Sequence, residues 1–182
     1  RKCIMAKNTA KPRSKQATAK PSGKLATPSS LGTNEVNDIG SALNGLLADA
    51  YALYLKTKNF HWHVSGPHFR EYHLLFDDQA TEILATTDLI AERVRKIGGT
   101  TLRSVGHIAR LQTIKDNYAD FVSAADMIGE LTANNRTYVE ALRHANQICS
   151  DAGDTATASL IDDWIDQAEQ RVWFLFETGR NA

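Results

Sequence analysis

The chain has 182 residues, enough for one domain or one domain plus a tail, and its 42% hydrophobic content suffices for a single core. No run of about 18 apolar residues occurs, so no membrane-spanning helix is expected. Two cysteines, Cys3 and Cys149, are too few for a disulfide framework and point to a reducing compartment.

The formal net charge of zero conceals a split. Residues 1–30 carry eight basic residues and no acid, which leaves 13 basic and 21 acidic residues, a net of −8, for the other 152. A basic arm on an acidic body suits polyanions at one end and cations at the other. The arm (Lys7, Lys11, Arg13, Lys15, Lys20 and Lys24 among its charges) is otherwise Ala, Ser, Thr and Pro. It has too little apolar surface to offset its ordering entropy, so it is expected to stay disordered. No apolar stretch follows the charges as a secretory signal requires. A transit peptide would need an Arg-rich amphipathic helix, which Pro12, Pro21 and Pro28 break. The run from Met5, MAKNTAKP, reads like a natural start.

Residues 31–182 read as four long helices. Helix A is expected to start at Thr33 or Asn34, both favourable caps, with Glu35 in its first turn. Val36, Ile39, Leu43, Leu46, Leu47, Ala50, Leu53 and Tyr54 keep helical spacing, and Ser65-Gly66-Pro67 stops the helix after Val64. Helix B is expected from Pro67 to Ile97. Its buried face is marked by Phe69, Tyr72, Phe76, Ala80, Ile83, Leu84, Thr87, Ile90, Ala91, Val94 and Ile97, and Gly98-Gly99 ends it. A weaker pattern over Val105–Ile114 suggests a short helix on a long crossover. Helix C follows from Ser123 to Ser150, then a turn at Asp151–Asp154 and helix D to Thr178. Four helices with one long connection between the second and third make an all-α, ferritin-like four-helix bundle.

The chemistry lies between His61 and Glu92. On helix B, His73, Asp77, Asp88 and Glu92 fall at about 0°, 40°, 60° and 100° around the axis, so they share one face. Imidazole and carboxylate at i, i+4 spacing are donors that iron accepts. Asp77 and Asp88 are nevertheless 11 residues apart, about 16 Å along the axis. One metal with bonds of about 2.0–2.2 Å cannot use both pairs from the same helix. Either there are two separate half-sites, or an antiparallel second copy of helix B brings Asp88 and Glu92 against His73 and Asp77, as a two-fold axis would.

His61, at the end of helix A, is placed to close the His73 side. His63 points roughly 200° away and stands at most behind the ligands. A single i, i+4 pair of such residues is ordinarily a solvated face. Here the carboxylates adjoin an apolar seam with Phe76, Ile90 and Ala91, where charged groups need partners. Trp62 reads as core or interface filler.

The run K-x-x-N-F-H61-W62-H-V-x-G-x-x-F-x-x-x-H73-x-x-F-D77, followed by D88-x-x-A-E92-R93 and Gly98-Gly99, resembles the Dps family, the DNA-binding proteins from starved cells. The resemblance covers about residues 33–178. It implies a hollow dodecamer of tetrahedral symmetry with a ferroxidase centre at each dimer interface: His61, His73 and Asp77 from one subunit, Asp88 and Glu92 from its two-fold mate. It implies iron as the metal, oxidation of Fe(II) by hydrogen peroxide in preference to oxygen, ferric mineral stored in the cavity, and a place in the bacterial cytoplasm and nucleoid. It makes Trp62 a radical trap beside the site. It sets acidic residues at three-fold pores, loosely matched by Asp154 and Asp163 with Asp162 and Asp166 as rivals. In such a protein the arm would contact DNA phosphates without reading bases.

Two other readings remain. One is a structural nucleoid-compacting protein whose metal site is idle. The other is a hydrolytic metalloenzyme built on His61 and His63. It is the poorer, because those two side chains do not converge on a helix and no H-E-x-x-H signature is present.

Overall fold

A computed structural model describes residues 25–180. The basic side chains of the arm, Lys7 to Lys24, lie outside the described residues. Five helices follow in order: α1 (Thr33–His63), α2 (Phe69–Lys96), α3 (Val105–Leu111), α4 (Ala124–Asp151) and α5 (Thr155–Thr178). α1 and α2 form one hairpin, α4 and α5 the other, and α3 lies on the crossover against α1. The four long helices make the expected ferritin-like bundle. None of the described helices is long and apolar enough to cross a membrane.

Each helix end has a local cause, and two differ from expectation. The cap of α1 is Gly32, and Thr33 and Asn34 already lie inside the helix. The Glu35 carboxylate folds back over Gly32 into the room a Cβ would fill, where it faces the positive end of the helix. α2 starts two residues later than expected because Gly66 takes φ +113° and turns the chain before Phe69. At the other end of α2, Gly99 N–H donates to Val94 O and Gly98 N–H to Arg95 O, with Gly98 at φ +95°. α4 ends with the same pair of bonds, Asp154 N–H to Cys149 O and Gly153 N–H to Ser150 O. Ser123 caps α4 by accepting from Asp126 N–H.

The expected apolar positions fill the core. Leu43, Leu47, Leu53, Phe76, Ile83, Ile90, Leu131, Leu142, Ile161 and Leu175 are fully buried. Phe69 and Leu84, expected on the buried face of α2, are exposed instead, as are Trp173 and Phe176 on α5. They belong to outer faces that one subunit leaves uncovered.

Buried polar groups hold the crossover and the bundle centre in place. Asp49 accepts from the backbone N–H groups of Thr113 and Ile114 and from the Thr113 hydroxyl. Lys56 donates to Glu130 (2.6 Å) and Asn134 (2.7 Å), joining α1 to α4. Arg171 of α5 is buried and donates through Nε to Asn135 of α4, with Glu82 of α2 3.7 Å from its Nη1. Buried charges persist only with such partners.

Residues 25–31 are not part of a free arm. Arg95 donates through Nη2 to the Leu25 carbonyl at 2.7 Å and through Nη1 to the Gly99 carbonyl. The segment lies over the end of α2, where Gly98 has no Cβ to collide with Thr27 O.

Candidate metal centre

The last turn of α1 and the first two turns of α2 face each other across the Val64–His68 connection. His61 and His73 stack with ring centroids 3.8 Å apart. His61 Nδ1 lies 2.7 Å from His73 O, and His73 Nδ1 lies 2.8 Å from His61 O. A carbonyl oxygen only accepts, so both rings carry a proton on Nδ1, and in the neutral tautomer this fixes, the lone pair is on Nε2. A carbonyl bond that fixes the tautomer in this way is the usual partner of a metal-binding imidazole. His61 is buried and His73 half-buried.

Asp77, one turn beyond His73, is half-exposed. It accepts from Lys58 of α1 at 2.5 Å. That hydrogen bond, aided by the Lys58 charge, holds its carboxyl below the usual carboxylate range against the opposing effect of burial. Lys58 also lies 5.9 Å from the ring centroid of Trp62, which is 57% exposed. His63 donates from Nδ1 to Asn59 O on the exposed side of α1, apart from the His61–His73 pair.

Asp88 and Glu92 stand exposed on the far half of α2, and Glu92 pairs with Lys96 at 2.9 Å. Among the described residues, no three His, Cys, Asp or Glu side chains converge closely enough to hold a metal. The fold thus brings His61, His73 and Asp77 to one end of the α1–α2 face and leaves Asp88 and Glu92 at the other. Leu74, Leu84 and Leu89 are all exposed along α2 here, and Leu84 is 40% exposed on the meridian between the two acidic halves.

Of the loosely matched pore residues, Asp154 is buried. It caps α5 through Thr157 N–H, accepts the Thr157 hydroxyl, and pairs with Arg93 at 2.7 Å. Its carboxylate is therefore engaged within the subunit. Asp162, Asp163 and Asp166 are exposed on α5.

Sequence reasoning passed over Lys58 and Lys96. Lys96 carried a signal, since it sits four residues after Glu92 on a helix. Lys58 carried only a faint one: it lies three residues before His61 and so shares its side of α1.

A family model described as Ferritin-like domain matches residues 40–180. The DNA protection during starvation protein of Brevibacillus brevis is 34% identical over 133 residues, 73% of this chain and 89% of that protein. The crystal structure of a Dps protein from Bacillus brevis matches with a TM-score of 0.79 at 31% identity, covering 82% of this chain and 100% of that one. A Dps protein from Vibrio cholerae O1, described as a member of a broad superfamily of ferritin-like diiron-carboxylate proteins, matches with a TM-score of 0.78 at 25% identity, covering 82% and 94%. On the family model and the Brevibacillus relative together, the chain belongs to the Dps family of ferritin-like proteins.

Proposed function

We propose that this chain is a ferroxidase subunit that oxidises Fe(II) at centres shared between two copies, stores the ferric product in a dodecameric shell and protects DNA from oxidative damage. Each centre takes His61, His73 and Asp77 from one copy and Asp88 and Glu92 from the other. The observation that carries this reading is the reciprocal His61–His73 clasp beside Asp77, which leaves two imidazole lone pairs and one carboxylate at an open face.

The geometry of α2 supports the pairing of two copies. A two-fold axis midway between Asp77 and Asp88 passes close to the exposed Leu84 and brings both acidic halves against their counterparts. The exposed Trp62, Leu74 and Leu89 would be covered in the same contact.

Fe(II) is the substrate. Anionic oxygen donors favour the harder Fe(III), which lowers the barrier to electron loss. Hydrogen peroxide is the preferred oxidant in this reading. It takes two electrons, one from each of two Fe(II), and with two protons becomes two waters. No hydroxyl radical is released, and that is the protective element. The names of relatives as DNA protection during starvation proteins agree with this role. The Lys-rich arm, including Lys7, Lys11, Arg13, Lys15, Lys20 and Lys24, binds duplex phosphates.

Co-expression of two inactive variants tests the shared centre. One chain carries His73→Ala with Asp77→Ala, the other Asp88→Ala with Glu92→Ala. In a mixed dimer one centre has all five ligands and the other keeps only His61, so random mixing restores about a quarter of centres. A centre confined to one chain would give no recovery, and the reading would fall.

A further inference from the structure

Two of the three carboxylates that the proposed centre needs, one from each half, are already occupied by an ammonium group. Lys58 Nζ is 2.5 Å from Asp77 Oδ1, and Lys96 Nζ is 2.9 Å from Glu92 Oε2. Asp88 has no ion-pair partner among the described residues. We propose that Lys58 and Lys96 are displaceable counter-cations, so that a divalent metal loads each centre by exchange with ammonium groups and Lys58 sets the affinity. This rests on the ligand assignment made above.

Charge explains why such groups are present. Three carboxylates brought together by a two-fold axis repel one another across the subunit contact. Two ammonium groups and two neutral imidazoles reduce the sum to a single negative charge, so the empty dimer face is nearly neutral. A divalent ion bound to Asp77 would then sit about 4–5 Å from the Lys58 ammonium if that group stayed in place. Like charges at that separation in a half-buried setting repel strongly. The ammonium must leave, and the metal works against the Lys58–Asp77 bond.

The two lysines differ in how firmly they are held. Lys96 and Glu92 form an i, i+4 pair with both side chains more than half exposed, which is a weak and screened contact. Lys58 reaches across from α1, its side chain is only 19% exposed, and its ammonium lies 5.9 Å from the Trp62 ring centroid. Lys58 is therefore the stronger competitor.

Calorimetric titration with Co(II), which needs no oxidant, tests the exchange on the full-length assembled protein. Lys58→Met is expected to bind about tenfold tighter than wild type. Lys58→Arg, which keeps the charge, is expected to bind no tighter than wild type, and Lys96→Met to change affinity less than about threefold. Asp77→Asn is the control for the ligand assignment, and light scattering confirms the assembled particle in each variant. If Lys58→Met binds equally or more weakly while Asp77→Asn loses binding, Lys58 orients Asp77 instead of competing for it, and the exchange is overturned with the ligand reading intact. If Asp77→Asn binds as wild type does, the ligand reading itself fails.

Discussion

His61 and His73 hold each other by a closed pair of bonds, each ring donating to the other residue's carbonyl across the α1–α2 hairpin. Neither ring can turn without breaking its own bond to the facing main-chain carbonyl. The pair therefore presents two Nε2 lone pairs in fixed directions before any metal arrives, which removes an ordering cost from binding. Loss of either ring takes away a proposed ligand and the stacking contact that packs the other ring, whose own bond to the main-chain carbonyl remains. His61→Ala and His73→Ala are each expected to slow the initial rate of Fe(II) oxidation by about tenfold or more. His63→Ala, whose ring bonds Asn59 O on the exposed side, is expected to stay within about twofold. Stopped-flow absorbance after peroxide addition separates the three. Equal losses in all three variants would undo the distinction between His61 and His63.

The helical framework was legible because it is written in local periodicity. The i, i+4 spacing of His73 with Asp77 and of Asp88 with Glu92 was equally local, and the 11-residue gap between the pairs was enough to call for a second copy. The reciprocal clasp was not legible, because it depends on how tightly Gly66 turns the chain at φ +113°. Nor were the buried polar contacts. Asp49 finds Thr113, Lys56 finds Glu130, and Arg171 finds Asn135 across long separations that leave no periodic trace. The cap of α1 was misread for another reason. Thr33 and Asn34 have good capping side chains, but Glu35 needs the empty space over Gly32, and that preference shifts the boundary.

Arg171 is the most consequential of those buried contacts. Its guanidinium joins α5 to Asn135 of α4 and Glu82 of α2, and it is almost wholly enclosed. Arg171→Ala removes the charge and the packed stem together, leaving Asn135 Oδ1 without its donor and a cavity at the bundle centre. A loss of about 3–5 kcal/mol is expected, the range for breaking a buried charged contact. Arg171→Met keeps most of the stem and is expected to lose less. Scanning calorimetry decides between them, and a Met variant as unstable as the Ala variant would show that the charge, not the packing, holds the helices.

Cys149 is fully buried at the end of α4, and burial chiefly, with Asp154 nearby, pushes its thiol up to about 11 from an ordinary value of 9.0. A raised acid group favours the folded state while it remains protonated. Its contribution is therefore complete below pH 9 and is lost as the pH rises towards 11. Wild type is expected to lose stability over that window, and Cys149→Ala is expected to show a flatter profile there, in denaturant titrations at stepped pH. The same burial predicts that aromatic disulfide reagents label Cys149 at pH 8 only after unfolding. Rapid labelling of Cys149 in a native Cys3→Ser particle would contradict both expectations.

The arm is best tested by removing residues 1–24. All eight basic residues of the first 30 lie before Leu25, whereas Leu25 to Leu31 run over the end of α2 under the Arg95 clasp. Removing residues 1–24 therefore deletes the charge without disturbing the strap, and removal to residue 30 would confound the two. Phosphate binding releases counterions, so the logarithm of affinity falls with the logarithm of salt at about 0.9 per phosphate neutralised. An arm that uses most of its charges gives a slope of roughly −5 to −7 for each arm engaged. Gel-shift titrations on long duplex DNA from low to moderate salt read this slope. The shortened chain is expected to lose binding even at low salt while oxidising Fe(II) at the wild-type rate, because the strap and the α1–α2 face are intact. Binding that survives the deletion, or that ignores salt, would move the DNA contact from the arm to the bundle surface.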